Sequence, residues 1–208
     1  MEESYNTLGG PHRHEIDKIK GSRFLGLVMP LEDEAQAKEF LLRCRKEFHS
    51  ARHHCSAWRL RAAGGEFRYS DDGEPNGSAG KPILAAIDGR QLVDLAVVVV
   101  RWFGGTKLGV GGLVRAYGQA AADALDQAQT KVVVLGRHFT FHHGYEVSGP
   151  IGGLLSEFDF EPQSAIYGAD VQFDLEIPLA RCEAFLAAFV ERTSGQGRVV
   201  EHNGPSRD

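Results

Sequence analysis

Between residues 33 and 49 the chain reads DEAQAKEFLLRCRKEFH, and Ala37, Phe40, Leu41 and Cys44 fall at the i, i+3, i+4, i+7 spacing of one helical face. Acidic residues open this stretch and basic ones close it, the order a helix dipole favours. On either side the period changes. EIDKIKGSRFLGLVMPL (15–31) predicts one or two strands, broken near Gly21 and Ser22. ARHHCSAWRLR sets Ala51, His53, Cys55 and Ala57 against Arg52, His54, Ser56 and Trp58, the two-residue alternation of a strand. KPILAAIDG predicts a short helix. LAVVVVRWF (95–103) is an unbroken β-branched run, the pattern of a strand buried on both faces. GGLVRAYGQAAADALDQAQ (111–129) is helical and rich in Ala and Leu.

From about residue 136 the rhythm becomes strand (138–147), short helix (150–157), two strands (160–167 and 170–177), amphipathic helix (180–193) and a last strand (198–202). That order, β-α-β-β-α-β, is the ferredoxin-like one. The expected fold class is α+β in two domains, residues 1–133 and 134–208, with the boundary between about 130 and 136.

Composition changes this picture little. The 208 residues suffice for two small cores, and 42% hydrophobic with 25% charged residues is ordinary for a folded chain. No apolar run approaches the roughly 20 residues of a membrane span. MEESYNTLGGPHRHE carries no apolar signal region, and three scattered cysteines suit a reducing compartment, so the expected location is cytoplasmic, without a membrane partner. Charge is more informative. Residues 1–135 hold 18 Lys/Arg against 17 Asp/Glu, a balance of +1, whereas residues 136–208 hold 5 against 11, a balance of −6. A polyanion would be met by the first part.

The chemistry-bearing stretches lie in that first part. SDDGEPNGSAGKP (70–82) concentrates Asp71, Asp72 and Glu74 with glycines and prolines, a long loop that calls for a function or a turn. Its carboxylates suit a hard cation, but their spacing is not that of an EF-hand. Asp turns with a positive φ at Gly73 are the favoured reading. His53 and Cys55 share a strand face, yet His53 and His54 point to opposite faces, so they cannot share one ion without a bulge. Neither a bound metal nor a cofactor is expected. RWFGGTKLGVGG places Gly104 and Gly105 between a strand and a helix, with Arg101, Lys107 and Arg115 around them. An anion site and simple close packing both fit that layout. It matches neither a phosphate-binding Walker loop nor the dinucleotide fingerprint. No G-x-S-x-G elbow surrounds Ser78.

ARHHCSAW (51–58), SDDGEPNGSAGKP (70–82) and VVVRWFGGTKLGVGGLVRAYG (98–118), with SRF at 22–24, resemble the IMPACT/YigZ family in order and spacing. The resemblance is strong over the first domain and rests on element order alone in the second. Ser78 stands where Thr would be at least as familiar. The resemblance implies a first domain with the fold of ribosomal protein S5 domain 2, also seen in domain IV of elongation factor G. It implies a ferredoxin-like second domain similar to domain V of that factor. Eukaryotic relatives regulate translation initiation with an additional N-terminal domain for which this chain has no room, so that partner interaction is not carried over.

The implied role is binding of RNA, the ribosome or a translation factor. The implied site is a mixed-charge cleft in which Arg52 or His54 pairs with Asp71, Asp72 or Glu74, beside His53, Arg101 and the glycine loop. The alternative is a small hydrolase or phosphate-ligand enzyme using the same His, Asp and Glu groups. Binding is favoured over catalysis because no nucleophile with an adjacent base is identifiable.

Overall fold

A computed structural model describes residues 3–61 and 65–202 of the 208. The outer ends of the two expected domains, 1–2 and 203–208, lie outside the described residues. The chain divides into two compact units, Asn6–Val132 and a second formed by the residues from Val133 onward together with those before Asn6.

In the first unit, strands β2 (His12–Glu15), β3 (Arg23–Pro30), β4 (His53–Arg59), β5 (Phe67–Ser70) and β6 (Leu95–Trp102) form one sheet in the order β2-β3-β6-β4-β5, antiparallel throughout. Helix α1 (Glu34–Glu47) covers one face, while α2 (Gly80–Asp88) and α3 (Val110–Gln127) cover the other. The apolar run of β6 is explained by this sandwiching. Val97 and Val99 pack in the α2/α3 layer, and Ala96, Val98 and Val100 in the α1 layer. Each of the four valines is almost fully buried and contributes on the order of 1.5–3 kcal/mol. The α3 side is tight because its buried stripe is mostly alanine. A Cβ at Gly26 of β3 would lie 2.5 Å from the Ala120 carbonyl oxygen, so strand and helix backbones nearly touch there.

The second unit contains β8 (Gly136–His143), α4 (Ser148–Glu157), β9 (Ser164–Tyr167), β10 (Val171–Pro178), α5 (Leu179–Arg192) and β11 (Arg198–His202). Its sheet order is β11-β8-β10-β9, and the register pairs Phe141 with Phe173 and Phe139 with Leu175 on the buried face. Phe185 and Phe189 of α5 meet Phe141 edge-on. The two units thus have the α+β architectures implied above, S5 domain 2-like and ferredoxin-like.

Four strands escape the hydrophobic pattern, one of them β2, which lies ahead of the 15–31 stretch expected to supply the first strands. β1 (Ser4–Leu8) and β7 (Thr130–Val134) pair as a two-stranded ribbon, and β5 is a wholly exposed edge. Residues 130–134, expected to be a boundary segment, are therefore a paired strand. The segment before Asn6, expected in the first domain, belongs to the second unit, where the Leu135 N–H donates to the Glu3 carbonyl. No helix among the described residues is long and apolar enough to cross a membrane.

Candidate functional site

The loop at 70–82 is held by its own carboxylates. Asp71 accepts the backbone N–H groups of Gly77 (2.8 Å), Ala79 (2.9 Å) and Gly80 (2.8 Å), fastening the loop onto the first turn of α2. Burial works against its ionisation, but these backbone donors prevail and hold the carboxyl below its ordinary value. Asp72 accepts the His54 N–H at 2.6 Å and Arg45 of α1 at 2.7 Å. The loop backbone also bonds to β4, since the Asp72 carbonyl accepts from His53 Nδ1 and the Asp71 carbonyl from the Cys55 thiol.

Glu74 reaches furthest inward. Its Oε1 receives Arg101 Nη1 at 2.6 Å and the Tyr117 hydroxyl at 2.7 Å, while His53 Nε2 lies 3.9 Å away. Both members of the Glu74–Arg101 pair are about 95% buried, each side chain being 5% exposed. The register explains the meeting, because His53 of β4 lies opposite Arg101 of β6, and α3 brings Tyr117 beneath them. Burial pushes the Tyr117 hydroxyl well up and the Cys55 thiol to about 12, so both stay protonated. The Arg101 guanidinium also lies over Phe24 and Phe103, and the Ser22 hydroxyl accepts from the Gly104 N–H.

His54, buried on the opposite face of β4, has its pKa lowered chiefly by desolvation, although Asp72 pulls the other way. Its Nε2 is buried without a hydrogen-bond partner. Ser78 is fully buried, and its hydroxyl donates to the Pro75 carbonyl. Among the described residues no group of three His, Cys, Asp or Glu side chains could hold a metal ion.

The structure therefore brings together His53, His54, Asp71, Asp72, Glu74 and Arg101. It adds Arg45 and Tyr117, which reading along the chain did not reveal, and gives places to Cys55 and Ser22, which that reading named without a role in this cluster. The cluster of Arg101, Lys107 and Arg115 is divided. Arg101 is buried against Glu74, whereas Lys107 and Arg115 are exposed and make no described ion pair or hydrogen bond. Arg52, expected to pair with a loop carboxylate, is likewise exposed without a described partner, and Arg45 occupies that role.

The glycine loop is divided too. Gly104 is pressed on the 19–22 turn, and a Cβ there would lie 1.9 Å from the Gly21 carbonyl carbon. Gly105 and Gly109 have positive φ and open space around them. Gly109 caps α3 without a side-chain bond, and no acidic residue occupies the first turn. The helix therefore presents free N–H groups between Lys107 and Arg115.

Residues 20–125 match the model of the Impact N-terminal domain, and residues 149–196 match a domain of unknown function, DUF1949. The chain is 34% identical to the IMPACT family member YvyE of Bacillus subtilis over 97% of its own length and 92% of that protein. It is 36% identical to the IMPACT family member YigZ of Escherichia coli over 89% of its length and 92% of that protein. A solved structure described as a hypothetical protein superposes with a TM-score of 0.69 at 33% identity, covering 98% of this chain and 99% of that one.

Proposed function

The chain belongs to the IMPACT family, and from that membership we propose that it acts in translation by binding RNA phosphates, on the ribosome or on a ribosome-associated partner, through its first unit. The observation that carries the reading is the exposed cationic N-terminus of α3. Lys107 and Arg115 have no described partner, and the helix between them begins with uncapped N–H groups and no acidic side chain. Arg52, at the start of β4, adds an exposed cation at the same end of the sheet, since His53 lies opposite Arg101 just before β6 leads into the glycine loop.

The network beneath supports binding rather than turnover. A hydrolase built on the serines and carboxylates of this network would need one of them open to substrate. Here Ser78 and Ser22 are fully buried and bonded to the protein, and Asp71, Asp72 and Glu74 each hold donors from their own chain. Of these carboxylates Glu74 is the one tied to the glycine loop, through Arg101 at the end of β6.

Co-sedimentation with ribosomes across a salt series tests the reading. Replacing Lys107 and Arg115 by Gln should weaken association while the melting temperature holds, because both side chains are exposed. The log–log salt slope should flatten by about 0.7–0.9 for each phosphate that is no longer neutralised. Arg198→Gln in the acidic second unit is the control and should leave the slope as it was. Unchanged association in the Lys107/Arg115 variant would defeat the proposal.

A further inference from the structure

The two faces of the five-stranded sheet are covered unequally. α2 and α3 share one face, α3 lying over β2 and β3. Among the described residues α1 is the one helix on the other face, and it packs on β4 and β6. A helix is about 10 Å across and five strands span roughly twice that, so one helix leaves part of a sheet face uncovered. The part left beside α1 is the edge strand β2 with the Met29 end of β3, and a cleft of about 490 Å³ lies there.

Its floor is apolar. Leu27 and Met29 of β3 alternate onto this face, and Phe40 and Cys44 of α1 form the opposite wall. The rim carries Arg13, Arg43 and Glu47. Arg13 and Glu47 touch only loosely, at 3.6 Å with side chains 70% and 57% exposed, so a ligand can displace that pair at little cost. Arg43 is exposed and has no described ion pair or hydrogen bond. The volume falls within the range of about 300–1,000 Å³ typical of small-molecule sites.

We propose that this cleft binds a small amphiphilic carboxylate, such as a short acyl chain, its apolar body against Leu27, Met29 and Phe40 and its anionic head on Arg43 and Arg13. The charge assigns the class. An apolar floor alone would take any hydrophobe, but two guanidiniums against one loosely held carboxylate leave the lip with unspent positive charge. This site is separate from the cationic end of α3, and the proposal stands without the RNA reading.

Decanoate below its micelle concentration is the probe, read on the full chain by displacement of a dansylated fatty acid. Saturable displacement is expected, with decanol weaker by about tenfold or more because it lacks the charge-assisted bonds. The Arg13→Gln/Arg43→Gln variant changes two exposed residues and keeps the fold. It should lose about that same factor for decanoate and bind decanol as before. The proposal is overturned by a lack of saturable displacement, by equal affinity for decanol and decanoate, or by decanoate binding the Arg13→Gln/Arg43→Gln variant as tightly as the native protein.

Discussion

Glu74 is held at one oxygen by donors from two different elements, Arg101 of β6 and Tyr117 of α3, and the pair it forms with Arg101 is almost wholly out of water. Removing one partner strands a buried charge, which costs about 3–5 kcal/mol, whereas replacing both with apolar residues of similar volume is often neutral. Glu74→Ala should therefore lower the urea midpoint severely. Glu74→Leu combined with Arg101→Met should cost less than either single change, and a double-mutant cycle reads the coupling. Two groups of this network contribute to the pH response. Asp71 has a depressed folded pKa, so its contribution is full above the ordinary 3.8 and is lost as pH falls through the lower folded value. His54 is also depressed, but as a base. The unfolded chain takes its proton near 6.5 while the folded protein resists, so stability declines as pH falls below 6.5 toward the folded value. His54→Gln should flatten that part of a stability-against-pH curve, and an unchanged slope would remove His54 from the account. That these residues lie close together was legible in outline from the quoted motifs. The individual partners were not, because Arg45 and Tyr117 reach the loop from helices far along the chain, and only the fold determines which arginine meets which carboxylate.

At the scale of elements, what could be read followed from burial. β6 and α1 have apolar patterns imposed by a sheet face or a helix stripe, and both emerge within two or three residues of their expected limits. β1, β2, β5 and β7 do not, because these particular edge and ribbon strands are held by backbone pairing more than by a core and show no regular apolar period in their side chains. Local signals can be sharper than periodicity. Asp33 accepts the Gln36 N–H at the start of α1, and the Gln36 side chain returns to the Glu32 N–H, a variant of the capping box. Asp33→Ala should cost about 1 kcal/mol in a denaturant titration. Gly104→Ala belongs to a harsher class. Its Cβ would fall within the backbone of the 19–22 turn, so the turn carrying Ser22 must move. The expected result is a lower melting temperature together with weakened ribosome association, since the same turn supports the loop that presents Lys107. A variant that melts like the native protein would show that the loop relaxes freely.

At the scale of the whole molecule, each unit has its own hydrophobic core. One is layered on both faces of the β2-β3-β6-β4-β5 sheet, and the other lies between β8–β11 and α4/α5. The charge divides along similar lines, +1 for residues 1–135 and −6 for residues 136–208. Fragments can therefore separate folding from function. A fragment ending at Val134 keeps every strand of the five-stranded sheet together with both β1 and β7, so it should unfold cooperatively and retain near-ultraviolet circular dichroism. It should also associate with ribosomes at low salt about as the full chain does, since the cations invoked for RNA binding all lie within it. A fragment beginning at Val133 keeps all four strands of the second sheet but loses the Glu3 carbonyl that accepts the Leu135 N–H, and with it the pairing of β1 to β7. It should be less stable than the same unit in the full chain, and its negative charge should keep it off the ribosome at any salt concentration. Ribosome association by the second fragment and not the first would reverse the assignment. An unfolded first fragment would instead show that this sheet needs more of the chain than its own core supplies, leaving the full-length Lys107/Arg115 variant to decide where RNA binds.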